Sequence, residues 1–148
     1  MFTSILVGTD GSETAHTALL RAIDLAAGLG ARLQIVSAYE PVSDQRLRGE
    51  AVDGPPDLQW IINPHDDVLA LLEEARTEAA KAGVSDVETF ARQGDAADAI
   101  VDVAEEQRSD LIVVGNKGMT GAKRFLLGSV PNKVSHHAPC SVLIVRTT

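Results

Sequence analysis

Apolar runs that end at turn residues divide the chain into predicted strands. Four of them, at 4–8, 32–39, 110–115 and 141–145, are short and bounded by polar or glycine residues, as buried strands are. The 110–115 run has no alternation, which is typical of a strand covered on both faces, so we expect it to be the central strand. A fifth segment, 85–93, alternates polar and apolar residues and is predicted to lie at a sheet edge.

Apolar residues at helical spacing predict four helices between these strands. Ser12 is suited to cap the first helix and Asp95 the third. The second begins at Asn63 and ends near Gly83, and the last covers 129–137. The apolar faces of the first three are predicted to consist of Ala15, Leu19, Ala22, Ile23 and Ala26; of Val68, Leu72, Ala75, Ala79 and Ala82; and of Ala96, Ala99, Ile100, Val103 and Ala104.

This alternation predicts an α/β fold, a doubly wound five-stranded parallel sheet, in one domain spanning 1–148. Ligands of such sheets bind beyond the carboxyl ends of the strands, where the strand order reverses. Two connections compete for that position, the turn 8–12 after the first strand and the glycine-rich loop after the fourth. The segment 40–63 contains several prolines and glycines, and we expect it to be a mobile excursion from the fold.

Charge and composition exclude several classes of function. With 148 residues and 45% apolar content the chain can bury a core, and no apolar run approaches the length of a membrane span, so we expect a cytoplasmic protein that does not enter membranes. The net charge of −8 argues against binding nucleic acid. One cysteine, Cys140, allows neither an internal disulfide nor a cysteine zinc site.

The acidic residues are unevenly distributed, and this bears on where an anion could bind. All 21 carboxylates lie at or before Asp110, whereas the remainder contains only basic charges. Those basic residues are Lys117, Lys123, Arg124, Lys133 and Arg146. The carboxyl-terminal quarter of the chain is therefore predicted to tolerate an anion.

A glycine-rich loop follows the fourth strand. Gly115 and Gly118 are separated by two residues, Gly118 and Gly128 by nine, and Ser129 follows directly. Glycines let the backbone approach a phosphate closely, while the amides of the helix that starts near Ser129 can point at the anion. The loop 113–130 is therefore predicted to bind phosphate.

With these residues in place, the chain resembles the universal stress protein family. Its nucleotide-binding members share the pattern Gly-x2-Gly-x9-Gly-Ser/Thr, which Gly115, Gly118, Gly128 and Ser129 match without a gap. The resemblance extends over nearly the whole chain, from the Thr-Asp turn at 8–12 to the closing strand. It implies an adenine-nucleotide alpha-hydrolase-like fold with strand order 3-2-1-4-5 and a stress-response protein that binds ATP.

Carried over by position, the resemblance implies a nucleotide site made of residues from both ends of the chain. Phosphates and ribose would be surrounded by residues of the loop, and the nucleoside by residues that follow the first two strands. Asp10 would accept hydrogen bonds from the ribose or base, and the backbone of Ala38 would contact adenine. The full set is Gly8, Thr9, Asp10, Ala38, Val114, Gly115, Asn116, Gly118, Gly128, Ser129 and Val130.

The resemblance also implies a homodimer formed through the closing strand, Ser141 to Val145, and Mg²⁺ could accompany ATP. Asn116 and Lys117 depart from the residues common at these positions, which leaves the number of bound phosphates open. Phosphoryl transfer needs a base and a metal site, and only a phosphate clamp is visible. We therefore expect a sensor or regulator and not an efficient enzyme.

Several alternatives stay open at this stage. The protein could buffer cyclic AMP, hydrolyse ATP slowly, or be a structural interaction protein in which the glycine pattern is incidental. Asp10 could serve only to form and cap the turn. His136 and His137 are expected to interact with the end of a helix, and Cys140 to be buried and inert. No Walker, dinucleotide or nucleophile-elbow motif is present.

Overall fold

Strands and helices alternate along the part of the chain that the computed structural model describes, residues 1–40, 64–116 and 127–147. The strands are β1 (Ser4–Gly8), β2 (Arg32–Tyr39), β3 (Val87–Gln93), β4 (Leu111–Gly115) and β5 (Ser141–Val145). The helices are α1 (Glu13–Leu29), α2 (Pro64–Lys81), α3 (Ala96–Gln107) and α4 (Ser129–His137). Residues 41–63 of the predicted excursion and 117–126 of the glycine-rich loop lie outside these ranges.

The five strands form one parallel sheet in the order β3-β2-β1-β4-β5, which confirms the predicted fold class and strand order. β3 lies at an edge, as its alternating pattern predicts. The middle position belongs to β1, so the prediction that the 110–115 strand is central was wrong. β4 is an interior strand between β1 and β5, and its apolar run records burial on both faces, which any interior strand shares.

Two predicted strands begin later than expected. β3 starts at Val87 and not at residue 85, because Gly83 ends the helical segment with a φ of 99° and the chain needs the next residues to return to the sheet. β4 starts at Leu111, because its pairing with β1 and β5 begins at that residue.

Helices cover both faces of the sheet, which explains why the interior strands are apolar at successive positions. On one face α1 and α2 pack against Ile5, Val7 and Leu33. On the other face α3 and α4 pack against residues such as Leu6 and Ile112. Successive side chains of a strand point to opposite faces, so each residue of these strands meets a helix.

The predicted helix faces are correct except at their ends. Ala82 lies beyond the end of α2 and is exposed, because the chain has already turned away from the core there. Ala15 and Ala96 lie in the first turns of α1 and α3 and are only partly buried, while Ala18 and Ala97 are buried instead. The two partly buried alanines face a cleft, which is the candidate site described next.

Asp110 joins the start of β1 to the start of β4. Its carboxylate accepts hydrogen bonds from the backbone N–H groups of Thr3 and Ser4 at 2.9 and 3.0 Å, and from the Thr3 hydroxyl at 3.1 Å. Burial alone would raise the pKa of the Asp110 carboxyl, but these hydrogen bonds outweigh it and hold the pKa below its usual value. The charged form is therefore favoured by folding.

Asp110→Asn is expected to lower the free energy of unfolding by about 1–2 kcal/mol near neutral pH, because hydrogen bonds to a charged acceptor are lost. A lowered folded-state pKa stabilises the protein above the unfolded value of about 3.9, and this contribution disappears as the pH falls through the folded pKa. Urea denaturation between about pH 7 and about pH 3 should show the two proteins converging in acid. A constant difference would contradict this role, and exposed Asp24→Asn is the control.

Candidate functional site

A cleft that is partly open to solvent lies at the carboxyl ends of β1, β2 and β4. Its walls are the first turn after β1, the ends of the strands, and the first turns of α1, α3 and α4. It is lined by Gly8, Thr9, Asp10, Ser12, Thr14, Ala15, Val36, Ala38, Ala96, Ile100, Val114, Gly115, Val130 and Pro131. This is the point where the strand order reverses between β1 and β4, the position at which such sheets bind ligands.

Backbone and side-chain hydrogen bonds fix the first turn. The Thr9 N–H donates to the Val36 carbonyl at 2.9 Å, which joins the turn to β2. Asp10 Oδ1 accepts from the Ser12 N–H at 2.9 Å, and Gly11 takes a φ of 84° between them. The Ser12 hydroxyl in turn caps α1 by accepting from the Ala15 N–H at 3.2 Å. Asp10 therefore does form the turn, and this uses one of its two oxygens.

The β2 side of the cleft is apolar. Val36 and Ala38 come from the end of β2, and Ile100 comes from the second turn of α3. Gly8 lacks a side chain where Ile100 approaches, since a Cβ there would lie 2.7 Å from Ile100 Cδ1. This end of the cleft suits a flat, mostly apolar group such as a nucleobase.

The two ends of the glycine-rich loop are joined at its base. The Gly128 N–H donates to the Asn116 carbonyl at 3.0 Å, and the Asn116 N–H donates to the Val145 carbonyl at 2.9 Å. The Asn116 side-chain oxygen accepts from the Thr147 N–H at 2.9 Å and from the Thr147 hydroxyl at 2.8 Å. The Asn116 carboxamide thus ties the loop to the segment after β5.

The amino end of α4 differs from those of α1 and α3. Ser12 caps α1 and Asp95 caps α3 with side-chain hydrogen bonds, whereas Gly128 at the start of α4 offers no side chain. The first turn of α4 also contains no acidic residue. The N–H groups of Ser129 and Val130 have no acceptor within the helix, so they can donate to an anion.

Lys133, one of the five basic residues of the carboxyl-terminal part of the chain, is paired with two carboxylates. Its ammonium lies 2.9 Å from Asp98 and 3.3 Å from Asp95, so it joins α4 to the amino end of α3. The pKa of Lys133 is raised by these two carboxylates. The Asp98 N–H and Lys133 both lower the pKa of Asp95, against a smaller opposing effect of burial. Lys117, Lys123 and Arg124 lie outside the described residues.

The structure brings most of the predicted site residues together. Seven line the cleft: Gly8, Thr9, Asp10, Ala38, Val114, Gly115 and Val130. Asn116, Gly128 and Ser129 lie at the base of the loop and the start of α4, beside these residues, without lining the described cleft. Gly118 lies outside the described residues.

Sequence reasoning missed the cleft residues that belong to helices. Ala15, Ala96 and Ile100 were assigned to core-facing stripes, although their place in the first two turns of helices that follow a strand could have suggested a site. The other omitted lining residues are Ser12, Thr14, Val36 and Pro131. The spacing of apolar residues identifies which face of a helix is buried. It does not show whether a residue on that face packs against a strand or contacts a ligand.

Residues outside the cleft offer little other chemistry. His136 and His137 are exposed at the end of α4. Cys140 packs partly against the core, and burial, aided by the charge of Asp110, raises the pKa of its thiol. In the ranges given above, no three histidine, cysteine or acidic residues are grouped to hold a metal ion, and no helix has the length and apolar character of a membrane span.

Comparison with known proteins agrees with this geometry. Residues 1–146 match the model of the universal stress protein family. The chain belongs to the universal stress protein family. It is 39% identical over 147 residues to a universal stress protein of Mycobacterium tuberculosis, covering 99% of this chain and 98% of the relative. It is 38% identical to the universal stress protein YxiE of Bacillus subtilis, covering 99% and 100% of the two chains.

A solved universal stress protein structure has the same fold. It is a crystal structure of a universal stress protein in complex with cAMP, with a TM-score of 0.73 and 35% sequence identity, covering 99% of this chain and 98% of that one. The family resemblance predicted from the Thr-Asp turn, the glycine spacing and the closing strand is thereby confirmed.

Proposed function

We propose that this universal stress protein is a cytoplasmic sensor that binds ATP in the cleft, with the phosphates at the amino end of α4. The observation that carries the proposal is that α4 starts without a side-chain cap or an acidic residue, and that Val130 of its first turn lines the cleft. A helix end in this state attracts a negatively charged group, because its free N–H groups and the helix dipole both favour one.

The other helix ends at the cleft are less suited to phosphate. α1 has Glu13 in its first turn and α3 has Asp98, and both helices are capped by side chains. No carboxylate follows Asp110 in the sequence. The triphosphate is therefore expected at the start of α4, whose own first turn contains no carboxylate, beside β4, where Gly115 allows close approach of the backbone.

The nucleoside would occupy the remainder of the cleft. The apolar residues Val36, Ala38 and Ile100 suit the base, and the backbone of Ala38 would contact adenine. Asp10 lines the cleft and keeps Oδ2 outside the turn hydrogen bond, so it can accept from a ribose hydroxyl. In this proposal Asn116, Gly118, Gly128 and Ser129 complete the phosphate side.

The site is better equipped for binding than for turnover. Asp10 is the one titratable side chain among the described lining residues, and its Oδ1 already accepts from Ser12. Phosphoryl transfer needs a positioned base together with a charge clamp and a metal. Mg²⁺ would arrive bound to the phosphates of ATP. We expect hydrolysis to be slow at most, with ATP serving as the signal.

A cyclic-AMP buffer is the second candidate, because a relative of the same fold was solved in complex with cAMP. Competition against a fluorescent ATP analogue separates the two. The sensor proposal expects ATP to displace the analogue at a concentration about tenfold or more below that of cyclic AMP, a difference of about 1.4 kcal/mol. Displacement by cyclic AMP at a lower concentration than ATP would favour the cyclic-AMP buffer over the ATP sensor. No displacement by either would contradict nucleotide binding.

We also propose that two copies pair through β5. This strand ends the sheet beside β4, and Leu143 and Ile144 on it are each 39% exposed. An edge strand presents unpaired N–H and C=O groups, and exposed apolar side chains next to them favour association. A second copy of the strand, related by a two-fold axis, would cover both the unpaired backbone groups and the exposed apolar side chains.

A further inference from the structure

Four polar side chains line the cleft at the start of α1, and three of them have a backbone partner. The Thr9 hydroxyl accepts from the Gly11 N–H at 3.5 Å, which is a weak contact. Asp10 Oδ1 accepts from the Ser12 N–H at 2.9 Å. The Ser12 hydroxyl accepts from the Ala15 N–H at 3.2 Å. These contacts shape the turn and the helix cap.

The fourth, Thr14, has a different partner. Its hydroxyl lies 3.2 Å from the Ser12 hydroxyl, and either can donate to the other. Two hydroxyls carry two protons, and one hydrogen bond between them uses one proton. Whichever hydroxyl donates, the other keeps an O–H group that can donate elsewhere. The pair of Ser12 and Thr14 thus offers a hydrogen-bond donor at the wall of the cleft.

A second threonine on α1 shows the usual alternative. The Thr17 hydroxyl donates to the Glu13 carbonyl at 3.1 Å, four residues earlier in the helix. Threonines within helices commonly donate their hydroxyl proton to the backbone carbonyl four residues earlier in this way. Thr14 lies in the first turn, and its hydroxyl is directed to Ser12 instead.

We infer that Thr14 is a ligand-contacting residue whose hydroxyl, paired with Ser12, hydrogen-bonds an oxygen of the sugar or phosphate part of the bound nucleotide. The inference rests on the proposed nucleotide site. The base end of the cleft is made by β2 and α3, whereas α1 packs mainly against β1 and β4, and β4 ends at Gly115. Sugar and phosphate oxygens are good hydrogen-bond acceptors, so they suit the O–H group that the pair retains.

Replacing Thr14 by valine removes the hydroxyl and keeps the branched shape. Thr14→Val is expected to weaken ATP binding about fivefold to tenfold, since one net hydrogen bond is lost. Thr14→Ser retains the hydroxyl and should bind within about twofold of wild type. Calorimetric titration gives the affinities. The thermal midpoint should change little, because Ser12 and not Thr14 caps α1.

Thr17→Val is the matched control, because it makes the same chemical change on the same helix away from the described cleft. Its ATP affinity should equal that of wild type. Titrations of Thr14→Val with adenosine and with inorganic tripolyphosphate identify the contacted group. If the affinity for adenosine falls by the same factor as the affinity for ATP, the hydroxyl contacts the sugar. If the affinity for tripolyphosphate falls by that factor, the hydroxyl contacts the phosphates.

Three results would overturn the inference. The first is unchanged ATP affinity in Thr14→Val, and the second is an equal loss in Thr17→Val. The third is a loss in Thr14→Ser as large as in Thr14→Val, because affinity would then not depend on the hydroxyl that Thr14→Ser retains. If wild type itself binds no adenine nucleotide, the proposed function fails and this inference fails with it.

Discussion

Ser129→Asp is expected to weaken ATP binding by about 100-fold while leaving the fold at least as stable as wild type. Ser129 is the first residue of α4 and is exposed, so a longer side chain has room there. A carboxylate near the start of a helix stabilises it by about 0.3–1 kcal/mol through the dipole. The same charge would repel phosphates bound at this helix end.

The size of the loss follows from simple electrostatics. Two like charges about 4 Å apart repel by about 4 kcal/mol near a protein surface and by about 1 kcal/mol in bulk water. A value between these limits, about 2.7 kcal/mol, corresponds to a 100-fold change in affinity. Opposite effects on binding and stability distinguish this result from a variant that merely unfolds.

Calorimetric titration with ATP and thermal unfolding measure the two effects together. Ser129→Asn is the control, because it has the size of aspartate without the charge, and it should lose far less affinity. Equal losses in the two variants would assign the effect to shape. Unchanged binding in Ser129→Asp would place the phosphates away from α4.

The combined substitution Leu143→Lys and Ile144→Lys is expected to convert a dimer into a monomer. Both side chains are exposed on the edge strand β5, and charged residues on an edge oppose strand pairing. Light scattering should give twice the chain mass for wild type and the chain mass for the variant. ATP affinity should be unchanged, since neither residue lines the described cleft.

Leu20→Lys provides the control for this experiment. Leu20 lies on α1 and is 38% exposed, close to the values for the two β5 residues. This variant should remain a dimer, because its added charge lies on α1 and not on the edge strand β5. A wild-type monomer, or a dimer that survives the β5 substitutions, would contradict the proposed interface.

The amino-acid sequence predicts the sheet well because its signals are local. Gly30 takes a φ of 65° at the end of α1, and Asp95 accepts a hydrogen bond from the Asp98 N–H at the start of α3, as their residue types suggest. Apolar runs reveal which strands are covered on both faces. They do not reveal which of them lies in the middle, since β1 and β4 are both covered.

The candidate site is only partly predictable, because its residues come together through tertiary packing. Glycine spacing pointed to Gly115 and Gly128, which lie on either side of residues 117–126 of the loop. The charge distribution along the sequence does not show that Lys133 pairs with two carboxylates at the start of α3, Asp95 and Asp98, which are distant in sequence. Ile100 and Ala96 have the spacing of core residues and also line the cleft.

The central claim is that the cleft binds an adenine nucleotide with its phosphates at α4. Mass analysis of the purified protein, followed by titration of nucleotide-free protein with ATP and cyclic AMP, tests it most directly. The account predicts an adenine nucleotide bound in a ratio of about one per chain, with affinity in the micromolar range or tighter, about −8 kcal/mol. Protein that carries no nucleotide and gives no binding heat with either ligand at millimolar concentration, about −4 kcal/mol, would contradict it.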